Sequence, residues 1–211
     1  MIPSYETDMP VSRCSPPPLG VIFLVAVCAA LTGCAPALDW REVRPDGLDG
    51  LQALFPCKPE HHTRPVQLSA TDAAREPLAM QVWSCSADGA LWAVSHVQTR
   101  SPEERLQALP ALSDALWANA ATAPGPRTAS GTTAQRHPLG PVNVPGMTPH
   151  PSAQAWWGTD AWRPGVQGGV NVVVWHFSRG LSVYQASVWK TSLRADDPAV
   201  NTFMQGFNFA R

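Results

Sequence analysis

Apolar and polar positions change period several times along this chain, and each change marks an element. Between residues 78 and 98 the period is two. In "PLAMQVWSC" Leu78, Met80 and Val82 share one face, and Gln81, Trp83 and Cys85 share the other, as in a strand. Asp88-Gly89, a strong turn signal, leads into "ALWAVSHVQ", so the segment predicts a β-hairpin. Shorter strands are expected at Leu51–Phe55, which stops at Pro56, and at Arg64–Leu68. Further on, "AQAWWG" and "GVNVVVWHFSRGLSVYQASVW" resume the strand pattern. Ser178-Arg179-Gly180 is expected to turn a second hairpin with arms at about 170–177 and 181–189.

Twice the period lengthens to that of a helix. "SPEERLQALPALSDALWANA" opens with Ser101 as N-cap, Pro102 at the first helical position and Glu104 three residues after the cap, a capping box with a helix-start proline. Leu106, Leu109, Leu112 and Leu116 fall broadly along one face. Pro110 cannot donate to the carbonyl of Leu106, which predicts a kink or a restart. Near the end, Asp197 caps, Pro198 fills the first turn, and Val200, Phe203, Met204 and Phe207 recur at helical spacing. Residues 121–152, rich in Pro, Gly, Ser and Thr, predict a long loop with a short strand near Val142–Val144. Hairpin-joined strands imply an antiparallel sheet. The expected class is α+β, with two amphipathic helices gathered on one side of the sheet.

A different pattern precedes all of this. Leu19–Leu31 is a run of 13 residues without charge, shorter than the roughly 20 needed to span a bilayer and of the length of a signal-peptide core. Arg13 precedes it, and Ala29, Ala30 and Gly33 lie at its end. Leu31-Thr32-Gly33-Cys34 resembles the lipobox of bacterial lipoproteins. That resemblance implies cleavage before Cys34, a diacylglycerol on its thiol and an acylated new amino terminus. Three acyl chains anchor firmly, since each buried methylene contributes about 0.8 kcal/mol. Ala35, rather than Asp, after the cysteine implies sorting to the outer membrane. The competing reading is an ordinary secretory leader in which Cys34 is incidental. Glu6 and Asp8 do not suit the basic start of a leader, and a start at Met9 removes both. The expected organisation is a leader at 1–33, a lipidated polar tether at 34–49 and a single domain at 50–211.

Without residues 1–33, which hold Arg13, Glu6 and Asp8, the chain keeps 14 basic and 14 acidic residues. A neutral balance argues against nucleic-acid binding, which needs a basic face. Cys14 and Cys28 fall in the leader and Cys34 goes to lipid. Cys57 and Cys85 remain, and in an oxidising envelope such a pair reads as a disulfide; the alternative is two buried free thiols.

The spacing of "LFPCKPE" is similar to the F-P-x-x-P opening of PsbP-like envelope proteins. A strand, a hairpin and a helix follow there too, and a terminal helix ends in a motif like Phe203-x-x-x-Phe207. The likeness spans about residues 50–209, supports the fold and carries no catalytic residue across.

Chemistry is sparse. No nucleophile elbow, P-loop or paired-histidine zinc motif is present, and no cofactor or metal is expected. His61-His62 point to opposite faces of a strand and read as solvated. His96 and His176 read as solvent-facing strand residues, and His137 and His150 as loop residues. Of nine Trp, most are expected in the core, but "AWWGTDAW" reads as a surface in which Trp156, Trp157 and Trp162, with Asp160 nearby, form a candidate partner surface. An envelope protein, a glycan or the lipid headgroup zone would fit it. The first reading is a membrane-tethered, non-enzymatic binding module. The alternative is a periplasmic hydrolase with its site between the 121–152 loop and the sheet.

Overall fold

The computed structural model describes residues 37–67, 76–121, 134–166 and 168–210. The leader, the lipobox with Cys34 and the alternative start at Met9 lie outside the described residues.

Ten strands and two helices are present among the described residues. Seven strands form one antiparallel sheet in the order β3-β4-β5-β9-β8-β7-β6. These are β3 (Glu60–Val66), β4 (Leu78–Ala87), β5 (Ala90–Gln98), β6 (Gln135–Pro141), β7 (Gln154–Ala161), β8 (Val170–Arg179) and β9 (Ser182–Lys190). Three more, β1 (Arg41–Val43), β2 (Leu51–Phe55) and β10 (Asn208–Phe209), form a small sheet in the order β1-β2-β10. The helices are α1 (Pro102–Ala121) and α2 (Pro198–Gln205). The protein is thus α+β, as its pattern predicts.

Alternation along the strands sorts their side chains between two covered faces. Trp92 and Val94 of β5, Tyr184, Ala186 and Val188 of β9, and Val173 and Phe177 of β8 join one core with Phe55, Val200, Phe203, Met204, Phe207 and Phe209. The small sheet and α2 therefore cover this face. On the other face, Val97 and Val183 pack with Leu109 and Leu112 of α1, and Val170, Val172 and Val174 pack with its Leu116 and Trp117. The expectation that both helices lie on one side is corrected: they cover opposite faces. Burial on both faces explains why β8 reads "VNVVVWHFSR", nearly continuous in apolar residues. Gly158 of β7 admits α1 closely, since a Cβ there would stand 2.5 Å from the Trp117 ring.

The expected punctuation holds in most places. Asp88 and Gly89 both take positive φ, 51° and 67°, as a two-residue hairpin turn of this twist requires. The second hairpin closes through Gly180-Leu181, because Arg179 pairs with Ser182. Asp197 accepts from the Ala199 N–H at 2.8 Å and Pro198 opens α2. At α1 the Ser101 hydroxyl accepts from the Glu104 N–H at 3.1 Å, while the Glu104 carboxylate turns to the Arg100 N–H at 2.5 Å.

Other expectations give way. The domain begins earlier than residue 50: β1 pairs with β2, the Asp39 N–H donates to the Pro56 carbonyl at 2.8 Å, and Leu48 is fully buried, so the stretch expected as tether is folded from about Asp39 on. The 121–152 loop contains β6, which pairs with β7 through a bulge between Pro138 and Gly140, and Val142 and Val144 lie in loop conformation after it. α1 runs through Pro110 without restarting. Leu106 is exposed, because the helix presents Arg105 toward β8 at that end. Both edge strands of the large sheet carry proline, Pro65 in β3 and Pro138 and Pro141 in β6, which blunts them against further strand pairing.

Cys57, just after β2, and Cys85 of β4 form a disulfide. It fastens the exit of the small sheet to the large one.

Candidate functional site

The structure disperses the expected aromatic surface. Trp156 and Trp157 are adjacent on β7, so they leave opposite faces of the sheet. Trp157 packs against the core beneath α2, and Trp156 against the core beneath α1. The Arg136 guanidinium lies over Trp156 at 5.1 Å, and Arg136 is 3.5 Å from the Asp114 carboxylate of α1. Trp162 follows β7, and its N–H donates to the Ala120 carbonyl at the end of α1, at 2.7 Å. All three are half-buried, and none of the nine Trp is exposed. "AWWGTDAW" is therefore a covered strand with an irregular end rather than a Trp-bearing loop. Asp160 sits at that irregularity, exposed and with φ 54°.

Histidines divide in two groups. His61, His62 and His137 are exposed on the edge strands. His61 stacks on Trp83 with ring centroids 4.4 Å apart, and His62 lies 3.6 Å from the Glu60 carboxylate on the same strand. His96, His150 and His176 are buried. The solvent-facing assignment of His96 and His176 is corrected, because a strand covered on both faces has no solvent face.

His96 belongs to a buried polar cluster. Antiparallel pairing of β5 with β9 sets Gln98 opposite Ser182 and His96 opposite Tyr184. His96 Nε2 is 3.0 Å from Ser182 Oγ, which lies 2.6 Å from Gln98 Oε1 and also contacts the Asp49 carboxylate. Asp49 comes from the turn before β2, with φ 48°. The Tyr184 hydroxyl donates to the Leu48 carbonyl of the same turn at 3.1 Å.

A serine, a histidine and an aspartate in contact raise the question of nucleophilic catalysis. The connectivity answers it. In a working triad the acid holds the histidine nitrogen remote from the serine, and the near nitrogen takes the serine proton. Here the acid contacts the serine itself. With the hydroxyl proton drawn to the carboxylate, Nε2 of His96 becomes the donor, and its Nδ1 is buried without a partner. Ser182 is also fully buried. Burial holds the His96 pKa below its ordinary value, with the Asp49 charge opposing. The cluster is a polar clamp that pins the 48–50 turn to β5 and β9. No sequence signal points to it, since its members stand up to 133 positions apart.

No protein-family model matches the chain, and no curated protein is similar to it. Among the described residues no three His, Cys, Asp or Glu are placed to share a metal ion.

On the opposite face His176 is fully buried, with Nε2 3.2 Å from Gln185 Oε1 and Nδ1 unpartnered. Desolvation pushes its pKa down to about 4, against weaker opposing effects of the Gln185 bond and the Asp114 charge. A histidine depressed on folding takes up its proton more readily in the unfolded chain. Its contribution is therefore complete above pH 6.5 and is lost as the pH falls from there toward about 4. The full loss is roughly 3 kcal/mol, from about 1.4 kcal/mol per unit. Urea unfolding at pH 7.5 and pH 4.5 should show wild type losing most of this, and His176→Gln losing clearly less between the two pH values. Equal losses would remove His176 as the source.

Proposed function

We propose that the protein is a lipoprotein of the bacterial cell envelope, anchored through an acylated Cys34 and sorted to the outer membrane, whose folded domain works by binding a partner. The disulfide between Cys57 and Cys85 carries the assignment to an oxidising compartment. The apolar run Leu19–Leu31 and the lipobox-like Leu31-Thr32-Gly33-Cys34 supply the route there and the anchor. No helix among the described residues is long and apolar enough to cross a membrane.

Binding is favoured over hydrolysis by the connectivity at Ser182, where the carboxylate faces the hydroxyl instead of the far side of His96. The hydrolase reading places its site between the 121–152 segment and the sheet. The described part of that segment supplies a proline-bearing edge strand, and the Ser182–His96 contact lies at the Asp49 turn instead. The partner is an envelope protein or a glycan. The half-buried Trp156 beneath Arg136 is an aromatic element at the surface on the α1 side.

Replacing Cys34 with Ser and labelling cells with a fatty-acid analogue tests the anchor. The variant should lose the label and leave the membrane fraction. Retained label together with retained membrane fractionation would overturn the assignment.

A further inference from the structure

The N-terminal turns of α1, the end of β8 and the loop from β6 to β7 meet at one corner of the large sheet. Three hydrogen bonds fix that corner. The Thr148 N–H donates to the Ser178 carbonyl at 2.7 Å, the Ser178 hydroxyl donates to the Thr148 carbonyl at 3.3 Å, and the Gly180 N–H donates to the Thr148 hydroxyl at 2.8 Å. Arg105 reaches in from α1, its Nη1 donating to Ser178 Oγ at 3.4 Å. Two residues beyond Thr148, His150 is buried, only 9% exposed.

Both Arg105 and His150 present a donor that nothing accepts. The Arg105 Nε–H is shut away from solvent without a partner. Arg100 and Arg136 each have a carboxylate within 3.5 Å, but Arg105 has none among the described residues. For His150 the proton position follows from its neighbour. The Ser152 N–H donates to His150 Nδ1 at 3.0 Å, so Nδ1 is the bare nitrogen and Nε2 carries the hydrogen. That Nε2–H is buried and unpartnered. The Arg105 carbonyl lies near enough to the ring to favour its protonated form weakly, but it is not a hydrogen-bond partner of Nε2. Burial, with the guanidinium charge close by, keeps the ring neutral and thus in this donor form.

Buried donors without acceptors are costly, and a charged one more so. A water molecule would satisfy the hydrogen bonds but leave the cation uncompensated. A negatively charged oxygen group meets both needs, and the guanidinium fork is suited to it. We propose that this corner is an oxyanion-binding site, in which the Arg105 Nε–H and the His150 Nε2–H donate to a carboxylate or phosphate group and Ser178 positions the guanidinium. The site is independent of the anchor at Cys34, and its ligand is bound whether or not that cysteine is acylated.

Titrating the purified full-length protein with sodium phosphate, and separately with sodium acetate, tests this at ionic strength held constant with chloride. The reporter is the ¹⁵N–¹H signal of the Arg105 Nε–H. It should shift saturably with at least one titrant, phosphate marking a phosphate-bearing ligand and acetate a carboxylate. Arg105→Gln should weaken that binding at least tenfold while keeping the backbone amide spectrum folded. Absence of a saturable shift with both titrants would overturn the proposal, as would equal affinity in Arg105→Gln. If that variant does not fold, the wild-type signal alone decides.

Discussion

Phe203→Ala will lower the stability of the domain by about 3–5 kcal/mol, the usual cost of truncating a buried phenylalanine. Phe203 is fully buried and joins three elements. Its ring meets Phe55 of β2 edge-on at 5.3 Å, Trp92 of β5 at 5.4 Å and Phe207 at 5.0 Å. An isolated helix of eight residues such as α2 has little stability of its own, so packing must hold it on the sheet. The expected loss is a large part of a total of about 5–15 kcal/mol and should appear as a marked fall in the melting temperature. Asn201→Ala, at an exposed position of the same helix, should scarcely move it. Equal melting of the two variants would mean that this side chain does not dock the helix.

Loss of the disulfide should be nearly as damaging. Cys57 and Cys85 are 28 positions apart, and closing a loop of that size stabilises by roughly 3–4 kcal/mol through the entropy of the unfolded chain. The bridge also ties the small sheet to the large one, so its removal weakens the cover over the Trp92–Tyr184 core. The double variant Cys57→Ser, Cys85→Ser should unfold at clearly lower urea concentration than the oxidised protein, and wild type under reductant should move in the same direction. Unchanged midpoints in both would show that the bridge contributes nothing. Alkylation of both thiols in unreduced protein would show that it does not form.

The parts of this fold that were legible in the chain are those whose signals are local. Asp197-Pro198 and the spacing of Val200, Phe203 and Met204 define α2. Phe207 also enters the core as expected, although the helix has ended before it. Asp88-Gly89 and the alternation around it define the β4–β5 hairpin. What stayed hidden depends on partners distant in sequence. The strand β6, "QRHPLGP", has no alternation and two prolines, and it exists because β7 offers one edge for it to pair with. Likewise β1 is a strand because β2 lies beside it. A strand pattern also does not say what covers each face. For that reason both helices read as lying on one side, and His96 and His176 read as exposed.

The polar sites were less legible still. Asp49, His96, Gln98 and Ser182 come together through the β5–β9 register and a turn far upstream. Arg105 and His150 meet because Thr148 is bonded to the end of β8. Neither set has a spacing that marks it, since their proximity is created by tertiary pairing. The tryptophans show the opposite error. The run "AWWGTDAW" suggested an exposed surface, whereas alternation on β7 sends Trp156 and Trp157 to two covered faces.

The central claim is that this disulfide-bonded α+β domain is held to a membrane by lipid on Cys34. The most direct measurement is the intact mass of the protein extracted from cell membranes, with fragmentation of its amino terminus. The account predicts a chain that begins at Cys34 and carries a diacylglycerol on the thiol and an acyl group on the amine. A mature chain that begins elsewhere, or one in which Cys34 has a free thiol, would contradict it.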